Sequence, residues 1–266
     1  MSNRFPEQGT IWLTGASSGI GKALAKHLSS HGHSLIVTGR RQQPLEQLAE
    51  SGKGHVTPAP CDTTDPQSLD GVREVLEQHR PVTMAILNAG TCEYLDVADF
   101  SSDIIEKNVV TNVIGTARSI ETVLPSLRNA RARGYAATLV IVGSSAWWFP
   151  FGRAEGYGAS KAALAYLATS LRADLAAEGI DVVLVSPGFV KTPLTDRNDF
   201  PMPFLVSAEE AAGRIVQGLE KGRNSIEFPR RFTWLIRLLG NMPQGLIDRM
   251  AASMSRSQEA GKESAE

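Results

Sequence analysis

Short apolar runs recur along this chain, with enough sequence between them for a helix. The clear runs lie at residues 10–13, 35–37, 84–87, 138–142 and 182–185. Because polar residues do not alternate within them, they are typical of strands covered on both faces of a parallel sheet. Stretches with helical periodicity separate these runs. The pattern therefore predicts an α/β fold with a doubly wound, Rossmann-like parallel sheet, right-handed crossovers and ligands beyond the carboxyl ends of the strands.

Weaker segments complete this outline. We expect the third strand at residues 55–61 and an edge strand at residues 225–228. We expect a single domain at residues 10–228, preceded by a lead at residues 1–9. Residues 229–255 predict a helical C-terminal segment, and the polar residues 256–266 predict a disordered tail.

The composition narrows the class of protein. Among 266 residues, 27 Lys and Arg stand against 28 Asp and Glu, so the formal net charge of -1 gives no indication of a nucleic-acid partner. Cys61 and Cys92 lie far apart without metal-ligand spacing, which favours a reducing compartment over a disulfide scaffold or zinc site. Residues 1–9 contain no apolar signal segment, and no apolar run has the length of a membrane span. We therefore expect a cytoplasmic protein without a metal.

A glycine-rich turn follows the first predicted strand, and residues 22–28 after it read as a helix. Glycines let the backbone approach a ligand closely, and the start of a helix offers free N–H groups and a positive dipole end to a phosphate. The spacing Gly-x-x-x-Gly-x-Gly is a variant of the commoner dinucleotide fingerprint. A strand-to-helix turn without a ligand is the alternative. The predicted phosphate-binding residues are Gly15, Ser17, Ser18, Gly19, Ile20 and Gly21.

Two arginines stand where NAD-binding folds carry an acidic residue. That residue normally binds the ribose 2′-hydroxyl about twenty positions after the turn. Here the second strand runs into Arg40 and Arg41 instead. Guanidinium groups suit a 2′-phosphate, which a carboxylate would repel. The position predicts NADP, with NADPH preferred over NADH; the start of a solvated helix is the alternative.

Polar residues also follow the third and fourth predicted strands. Asp62 has a carboxylate suited to the adenine amino group, or to capping a turn. The small residues of Asn88-Ala89-Gly90 would let the backbone pass close beneath a cofactor, with Asn88 bracing the neighbouring strand. Asn108 and Asn112 lie four residues apart on one predicted helix face. Since a buried asparagine needs partners, we expect at least one of them to bond a water or backbone group near the site.

Tyr157 and Lys161 form the candidate catalytic pair. Four residues apart in good helix-forming sequence, they should project from one face. A phenol with a pKa of about 10 is a poor base, but a nearby positive charge lowers that pKa. Ser144, after the fifth strand, is placed to donate to a substrate carbonyl oxygen. A Ser/His/Asp arrangement is the weaker rival, because all histidines fall in the first third of the chain.

Together these motifs resemble the short-chain dehydrogenase/reductase family. The resemblance covers about residues 10–195, and the ordered set is more specific than any single motif. It rests on the glycine-rich turn, Asn88-Ala89-Gly90, Asn112, Ser144, the Tyr157/Lys161 pair and Pro187-Gly188.

The resemblance implies a seven-stranded parallel sheet and a catalytic tetrad of Asn112, Ser144, Tyr157 and Lys161. In that scheme Tyr157 exchanges a proton with the substrate oxygen, which Ser144 polarises. Lys161 binds the nicotinamide ribose and lowers the tyrosine pKa, and Asn112 holds a water in the proton relay. The usual thirteen-residue interval to the tyrosine selects Ser144, with Ser145 as the alternative.

The resemblance also implies a cofactor clamp and an assembly. Arginine at the end of the second strand goes with NADP in this family, and members are commonly homodimers or homotetramers. The clamp on the nicotinamide carboxamide is implied to consist of Pro187, Gly188, Val190 and Thr192.

Several bulky apolar residues follow the fifth and sixth strands, and we expect them to form a mostly hydrophobic substrate region. The alternative is that they only pack the loops against the domain or contact a partner subunit. The segment 228–240 is an amphipathic candidate for a lid, a subunit contact or a membrane-surface anchor, of which the lid or subunit contact is favoured. The predicted function is an NADP-dependent oxidoreductase acting on a small carbonyl or alcohol. A dinucleotide-sensing regulator and a peripheral membrane reductase of lipid carbonyls are the alternatives. The apolar residues are Trp147, Trp148, Phe149, Phe189, Leu194, Phe200, Met202, Phe204 and Leu205.

Overall fold

Seven parallel strands lie side by side in the computed structural model, which describes Phe5 and residues 8–52, 54–79 and 81–263, the side chains of residues 254–263 excepted. The strands are β1 (Thr10–Thr14), β2 (Ser34–Thr38), β3 (Val56–Pro58), β4 (Val82–Leu87), β5 (Ala137–Val142), β6 (Ile180–Pro187) and β7 (Ser225–Phe228).

Their order in the sheet is β3-β2-β1-β4-β5-β6-β7. Every neighbouring pair is parallel. The order reverses direction between β1 and β4, which is the topological switch point where folds of this kind form their ligand crevice. The prediction of a doubly wound, Rossmann-like α/β domain with seven strands is confirmed.

Helices cover both faces of the sheet. Local signals set several of their starts: Asp65 accepts from the Gln67 amide at one N-terminus, and Ser207 accepts from the Glu210 amide at another. The helices are α1 (Gly19–Ser30), α2 (Gln42–Ser51), α3 (Pro66–Gln78), α4 (Ser102–Val109), α5 (Gly115–Ala132), α6 (Glu155–Leu175), α7 (Ala208–Glu220), α8 (Arg230–Gly240) and α9 (Gln244–Glu263).

Alternate strand residues feed two separate hydrophobic cores. On one face, Leu13 of β1 and Ile86 of β4 pack with residues of α1 and α7. On the other face, Trp12 and Leu87 pack with residues of α3, α5 and α6. Burial on both faces explains why these strands read as continuous apolar runs.

The strands differ from the sequence prediction mainly at their ends. The third strand was expected at residues 55–61, but β3 is regular only from Val56 to Pro58. Pro58 and Pro60 carry no N–H group, but an N–H at either position would face away from β2 at this edge of the sheet, so the prolines do not interrupt the bonds to β2. The amides of Ala59 and Cys61 still donate to the carbonyls of Val37 and Gly39 beyond it.

Helices α8 and α9 make up the C-terminal segment after β7. Helix α9 continues to Glu263, whereas disorder was expected from residue 256. Ala, Glu and Lys in this stretch are good helix formers, which accounts for the difference. Residues 264–266, like residues 1–4 and 6–7 of the lead, lie outside the described residues. Within the described chain, no helix combines the length and apolarity needed to cross a bilayer.

Candidate active site

A crevice of about 510 Å³ opens at the carboxyl ends of the central strands. It lies at the switch point between β1 and β4, and its volume falls in the range of small-molecule and cofactor sites, roughly 300–1,000 Å³. The residues lining it come from the turn after β1, the ends of β2, β4, β5 and β6, and the start of α6. The fold thus brings together most of the predicted site residues.

The glycine-rich turn forms one wall of the crevice. Gly15 adopts the left-handed φ of 69°, and a Cβ atom there would lie 2.8 Å from the Ala89 Cα atom. A Cβ atom on Gly21 would collide with the Gly15 carbonyl oxygen. The Ser18 side chain makes no capping hydrogen bond in the described part of the chain, so the first N–H groups of α1 face the crevice for a ligand. This geometry fits a phosphate group.

Thr14 ties this wall to the next strand. Its buried hydroxyl accepts from the amides of Asn88, at 3.0 Å, and Ala89, at 3.1 Å. The Asn88 side-chain amide in turn donates to the carbonyls of Thr14 and Gly15, each at 3.3 Å. The expectation that Asn88 braces the neighbouring strand is therefore confirmed, and Ala89 and Gly90 line the crevice beside it. The role of Thr14 was missed, because a threonine at a strand end has no distinctive sequence pattern.

The two arginines after β2 occupy different positions. Arg40 lines the crevice and is exposed. Arg41 is also exposed, and its Nη2 atom donates to the Ser17 carbonyl at 3.2 Å. Arg40 is thus the arginine that lines the crevice, while Arg41 stabilises the turn that carries Ser17.

Asp62 lines the same end of the crevice. Its Oδ1 atom accepts from the Thr64 amide at 2.9 Å and from the Thr64 hydroxyl at 2.7 Å. The turn-capping alternative is therefore what the structure shows for this oxygen. Asp62 still lines the crevice, and its contact with an adenine group stays a prediction.

The asparagine pair sits where a helix changes its pitch. A π-helical segment, Val110–Ile114, joins α4 to α5. Within it, the buried Asn112 side chain accepts from the Thr91 amide at 2.8 Å and donates to the Thr91 carbonyl at 3.0 Å and the Ser160 hydroxyl at 2.9 Å. Asn108 bonds the Glu93 backbone in the same way. The expectation of a backbone partner is confirmed, and π-segments of this kind are frequent at functional sites.

Tyr157, Ser144 and Lys161 converge on the floor of the crevice. The Ser144 hydroxyl lies close enough to the Tyr157 phenol to favour its charged form, and it accepts from the Ala146 amide at 3.2 Å. The buried Lys161 ammonium donates to the Val142 carbonyl at 3.2 Å and lies 5.7 Å from the centre of the Tyr157 ring. Ser145 is buried in the short 3₁₀ helix Ser145–Trp147. Of the two adjacent serines, Ser144 is the one that lines the crevice.

The segment after β6 closes the crevice opposite the glycine-rich turn. The Gly188 amide donates to the Phe228 carbonyl at 2.7 Å, and Val190 is buried against Val206. Thr192 lies against the turn, since a Cβ atom on Gly19 would be 3.0 Å from its methyl group. With Pro187, these residues line the crevice where the predicted carboxamide clamp should be.

A set of contacts that the sequence did not predict joins three loops beside the crevice. The Tyr94 hydroxyl donates to the Asn198 Oδ1 atom at 2.9 Å, and the Tyr94 ring meets Phe200 edge-on with centroids 5.8 Å apart. Arg153 pairs with Asp199 at 3.2 Å and lies over the Tyr94 ring. No local pattern indicates these contacts, because the partners are between 46 and about 100 positions apart in the chain.

The family assignment follows from a comparison with known proteins. The short-chain dehydrogenase family model matches residues 9–200, which is more than half of the chain. The chain belongs to the short-chain dehydrogenase/reductase family. It is therefore an oxidoreductase, and the resemblance read from the motifs is confirmed.

Individual relatives agree with this assignment. An uncharacterized oxidoreductase of Myxococcus xanthus is 32% identical over 91% of this chain and 96% of its own length. Sulfoacetaldehyde reductase 2 of Chromohalobacter salexigens is 35% identical over 70% of this chain and 74% of its own. A short-chain dehydrogenase from Sphingobium yanoikuyae, solved in complex with NADPH, superposes with a TM-score of 0.75 at 24% identity, covering 89% of this chain and 97% of that one.

The electrostatics of the short-chain dehydrogenase site correct one expectation. Burial raises the pKa of the Tyr157 phenol, the neighbouring Cys92 thiol adds to the rise, and the Ser144 hydrogen bond opposes it. Burial also lowers the pKa of Lys161 to about 8. The expectation that the Lys161 ammonium brings the tyrosine pKa down is therefore wrong as an overall direction. Removal from water disfavours the charged form of each group, which sets both directions.

The bulky apolar residues are placed differently from the prediction. Leu194 lines the crevice, but Phe149 and Phe189 pack with Phe232 and Ile236 of α8. The rings of Phe189 and Phe232 lie 5.3 Å apart. The loop-anchoring alternative thus describes Trp148, Phe149 and Phe189, because α8 offers an apolar face that their rings cover.

Proposed function

We propose that this protein uses NADPH to reduce the carbonyl group of a small, mainly apolar molecule, and that it catalyses the reverse oxidation of the alcohol. The observation that carries the proposal is the meeting of the Tyr157 phenol, the Ser144 hydroxyl and the Lys161 ammonium on the floor of the crevice. A proton donor, a carbonyl-polarising hydroxyl and a cation are the groups that carbonyl reduction needs in one place.

Tyr157 is the proposed acid. Because burial raises its pKa, the phenol is protonated at neutral pH and holds the proton that a reduced carbonyl oxygen must receive. The O–H bond of Tyr157 breaks as the new bond to the substrate oxygen forms. Ser144, which lines the crevice beside the phenol, donates to the same oxygen and stabilises the charge that develops on it. The bound nicotinamide supplies the hydride.

Lys161 is proposed to stabilise the deprotonated form of this acid, and Asn112 is proposed to position the loop beside it. The Lys161 ammonium is fixed by the Val142 carbonyl beside the Tyr157 ring, where it stabilises the phenolate that proton transfer leaves behind. Asn112 holds the Thr91 backbone and the Ser160 hydroxyl with its side-chain amide. Its proposed contribution is to fix the loop that borders the acid, and the relay water stays a prediction.

NADPH is the proposed cofactor because of Arg40. This guanidinium lines the crevice at the end of β2, where the adenine ribose lies in dinucleotide-binding folds of this topology. An arginine there favours a 2′-phosphate over a hydroxyl. The remaining proposed contacts follow the crevice wall: Gly15, Ser17, Ser18, Gly19, Ile20, Gly21, Arg41, Asp62, Asn88, Ala89, Gly90, Pro187, Gly188, Val190 and Thr192.

The proposal also covers the class of substrate, the cellular compartment and the oligomeric state. Leu194 lines the crevice, which favours an apolar group in the substrate. Both cysteines are free, in agreement with a cytoplasmic protein, and the family resemblance favours a homodimer or homotetramer.

A panel of ketones and aldehydes, with sulfoacetaldehyde among them, tests the proposal. The purified protein is mixed with NADPH or NADH, and loss of the reduced nicotinamide absorbance is followed. We expect turnover of at least one carbonyl, faster with NADPH. Ser144→Ala should lower kcat/KM by about 100-fold, because one oxyanion donor is lost.

The matched control is Ser145→Ala. It removes a hydroxyl from a buried neighbour that does not line the crevice, so its rate should stay close to that of the wild type. A protein that binds NADPH but reduces no carbonyl would contradict the proposal and favour a dinucleotide-sensing role. Equal losses in the two variants would contradict the assignment of Ser144.

A further inference from the structure

Helix α8 exposes large apolar side chains on the side directed away from the domain core. Trp234 is 67% exposed, Leu238 51% and Leu235 42%. The opposite side of the same helix buries Phe232 and Ile236 against the aromatic cluster beside the crevice. The exposed side therefore does not cover the crevice, and the lid interpretation accounts for only half of this amphipathic helix.

The exposed side of α8 is also strongly basic. Arg230, Arg231 and Arg237 are all exposed, and the helix sequence contains no acidic residue. A groove of about 440 Å³ runs along one flank, and Trp234 belongs both to this groove and to the apolar side. The acidic residue of the groove, Glu227, lies 3.8 Å from Arg237. The groove is lined by Arg223, Ser225, Glu227, Arg230, Thr233, Trp234 and Arg237.

Packing fixes how this surface is presented. A Cβ atom on Gly240 would collide with the Trp148 carbonyl oxygen, so the end of α8 lies directly on that loop. The Thr233 hydroxyl bonds the Pro229 and Arg230 carbonyls at the start of the helix, each at 3.2 Å. The apolar surface continues past α8, since Phe204 is 51% exposed and its ring lies 6.3 Å from that of Phe232.

We propose that this face of α8 docks the protein on an anionic phospholipid surface. Trp234, Leu235 and Leu238 enter the boundary between headgroups and acyl chains, as apolar faces of interfacial helices do. The arginines lie beside them at the level of the lipid phosphates, where each adds roughly fivefold to the affinity for an anionic membrane.

The positive charge of this face favours an anionic membrane over a second copy of the chain as its partner. A two-fold contact through this face would set the three arginines of one α8 against those of the other, and like charges disfavour such a pairing. An anionic surface complements the same charges without a partner site. The inference concerns a surface that lies outside the catalytic crevice, so it does not depend on the proposed reaction.

Sedimentation of the full chain with lipid vesicles tests the docking face. The probes are vesicles of phosphatidylcholine alone and of phosphatidylcholine mixed with phosphatidylserine. We expect binding to the mixed vesicles that weakens with added salt. Trp234→Ser should reduce the partition coefficient by roughly tenfold through lost apolar burial. Arg231→Glu, which changes the charge by two units, should reduce it by roughly thirtyfold.

Two exposed positions away from α8 supply matched controls. Val97→Ser removes an apolar side chain that is 68% exposed, and Arg133→Glu makes the same charge change as Arg231→Glu. Both should bind like the wild type, and thermal unfolding checks that every variant is folded. No binding by the wild type, or equal losses in the controls, would overturn the proposal. Sedimentation velocity without lipid tests the alternative that a second copy of the chain binds this face. If the wild type forms an assembly that dissociates in Trp234→Ser, the face is a subunit interface and membrane docking is overturned.

Discussion

Thr14→Val probes the junction on which the crevice depends. The Thr14 hydroxyl accepts from two backbone amides, those of Asn88 and Ala89, and the side chain is 1% exposed. Valine has nearly the same shape but no acceptor. The substitution therefore leaves two N–H groups at the end of β4 without their partner, while the packing around the side chain stays almost the same.

The expected loss of stability follows from those two bonds. Each buried N–H group that loses its acceptor costs about 1–3 kcal/mol. Both amides border the open crevice, where water can reach them in part, so the lower half of the range applies. We expect the free energy of unfolding to fall by about 2–4 kcal/mol in total. We also expect weaker NADPH binding, since the same amides position Ala89 and Gly90 along the crevice.

Urea unfolding followed by circular dichroism measures the free energy, and fluorescence titration measures NADPH binding. Thr83→Val is the matched control on β4. The Thr83 hydroxyl is buried and has no hydrogen-bond partner among the described residues, so its removal should leave stability unchanged or raise it. A loss below about 1 kcal/mol for Thr14→Val, or an equal loss in the control, would refute the reasoning.

Three further predictions concern the crevice. Arg40→Asp should lower the NADPH/NADH ratio of kcat/KM by roughly 100-fold, because a carboxylate would face the 2′-phosphate; an unchanged ratio in steady-state assays would contradict this. Gly21→Ala should weaken NADPH binding in a fluorescence titration, because its methyl group would press on the Gly15 carbonyl oxygen; an unaltered dissociation constant would contradict it. Since the Lys161 pKa is about 8, its ammonium is lost as pH rises through that value. We expect kcat/KM to fall by about tenfold per pH unit above it, and a profile that stays flat to pH 10 would contradict this role.

Several features of the molecule were predictable because they depend on local sequence. Buried strands must read as apolar runs. The run predicted at residues 84–87 became β4, which ends at Leu87 as predicted but begins two residues earlier, at Val82. The glycine-rich turn was predictable because only glycine tolerates the close approach at Gly15 and Gly21. The seven-stranded sheet came from the family resemblance, since the order of strands cannot be read from periodicity.

Other features depend on tertiary contacts and left no signal in the sequence. Asn112 was expected on a regular helix, but the π-segment that carries it forms around bonds to Thr91 and Ser160. The pKa of Tyr157 rises because of burial, which spacing to Lys161 does not reveal. The aromatic residues after Ser144 were expected around a substrate, yet Phe149 packs under α8, because that helix supplies the nearest apolar cover.

The role of Tyr157 as the acid is the central claim, and the turnover of Tyr157→Phe with saturating NADPH tests it most directly. The variant keeps the aromatic ring and loses only the proton donor. The account predicts that kcat falls by at least about 100-fold, while the NADPH dissociation constant stays close to that of the wild type. Turnover comparable to the wild type, with the cofactor still bound, would contradict it.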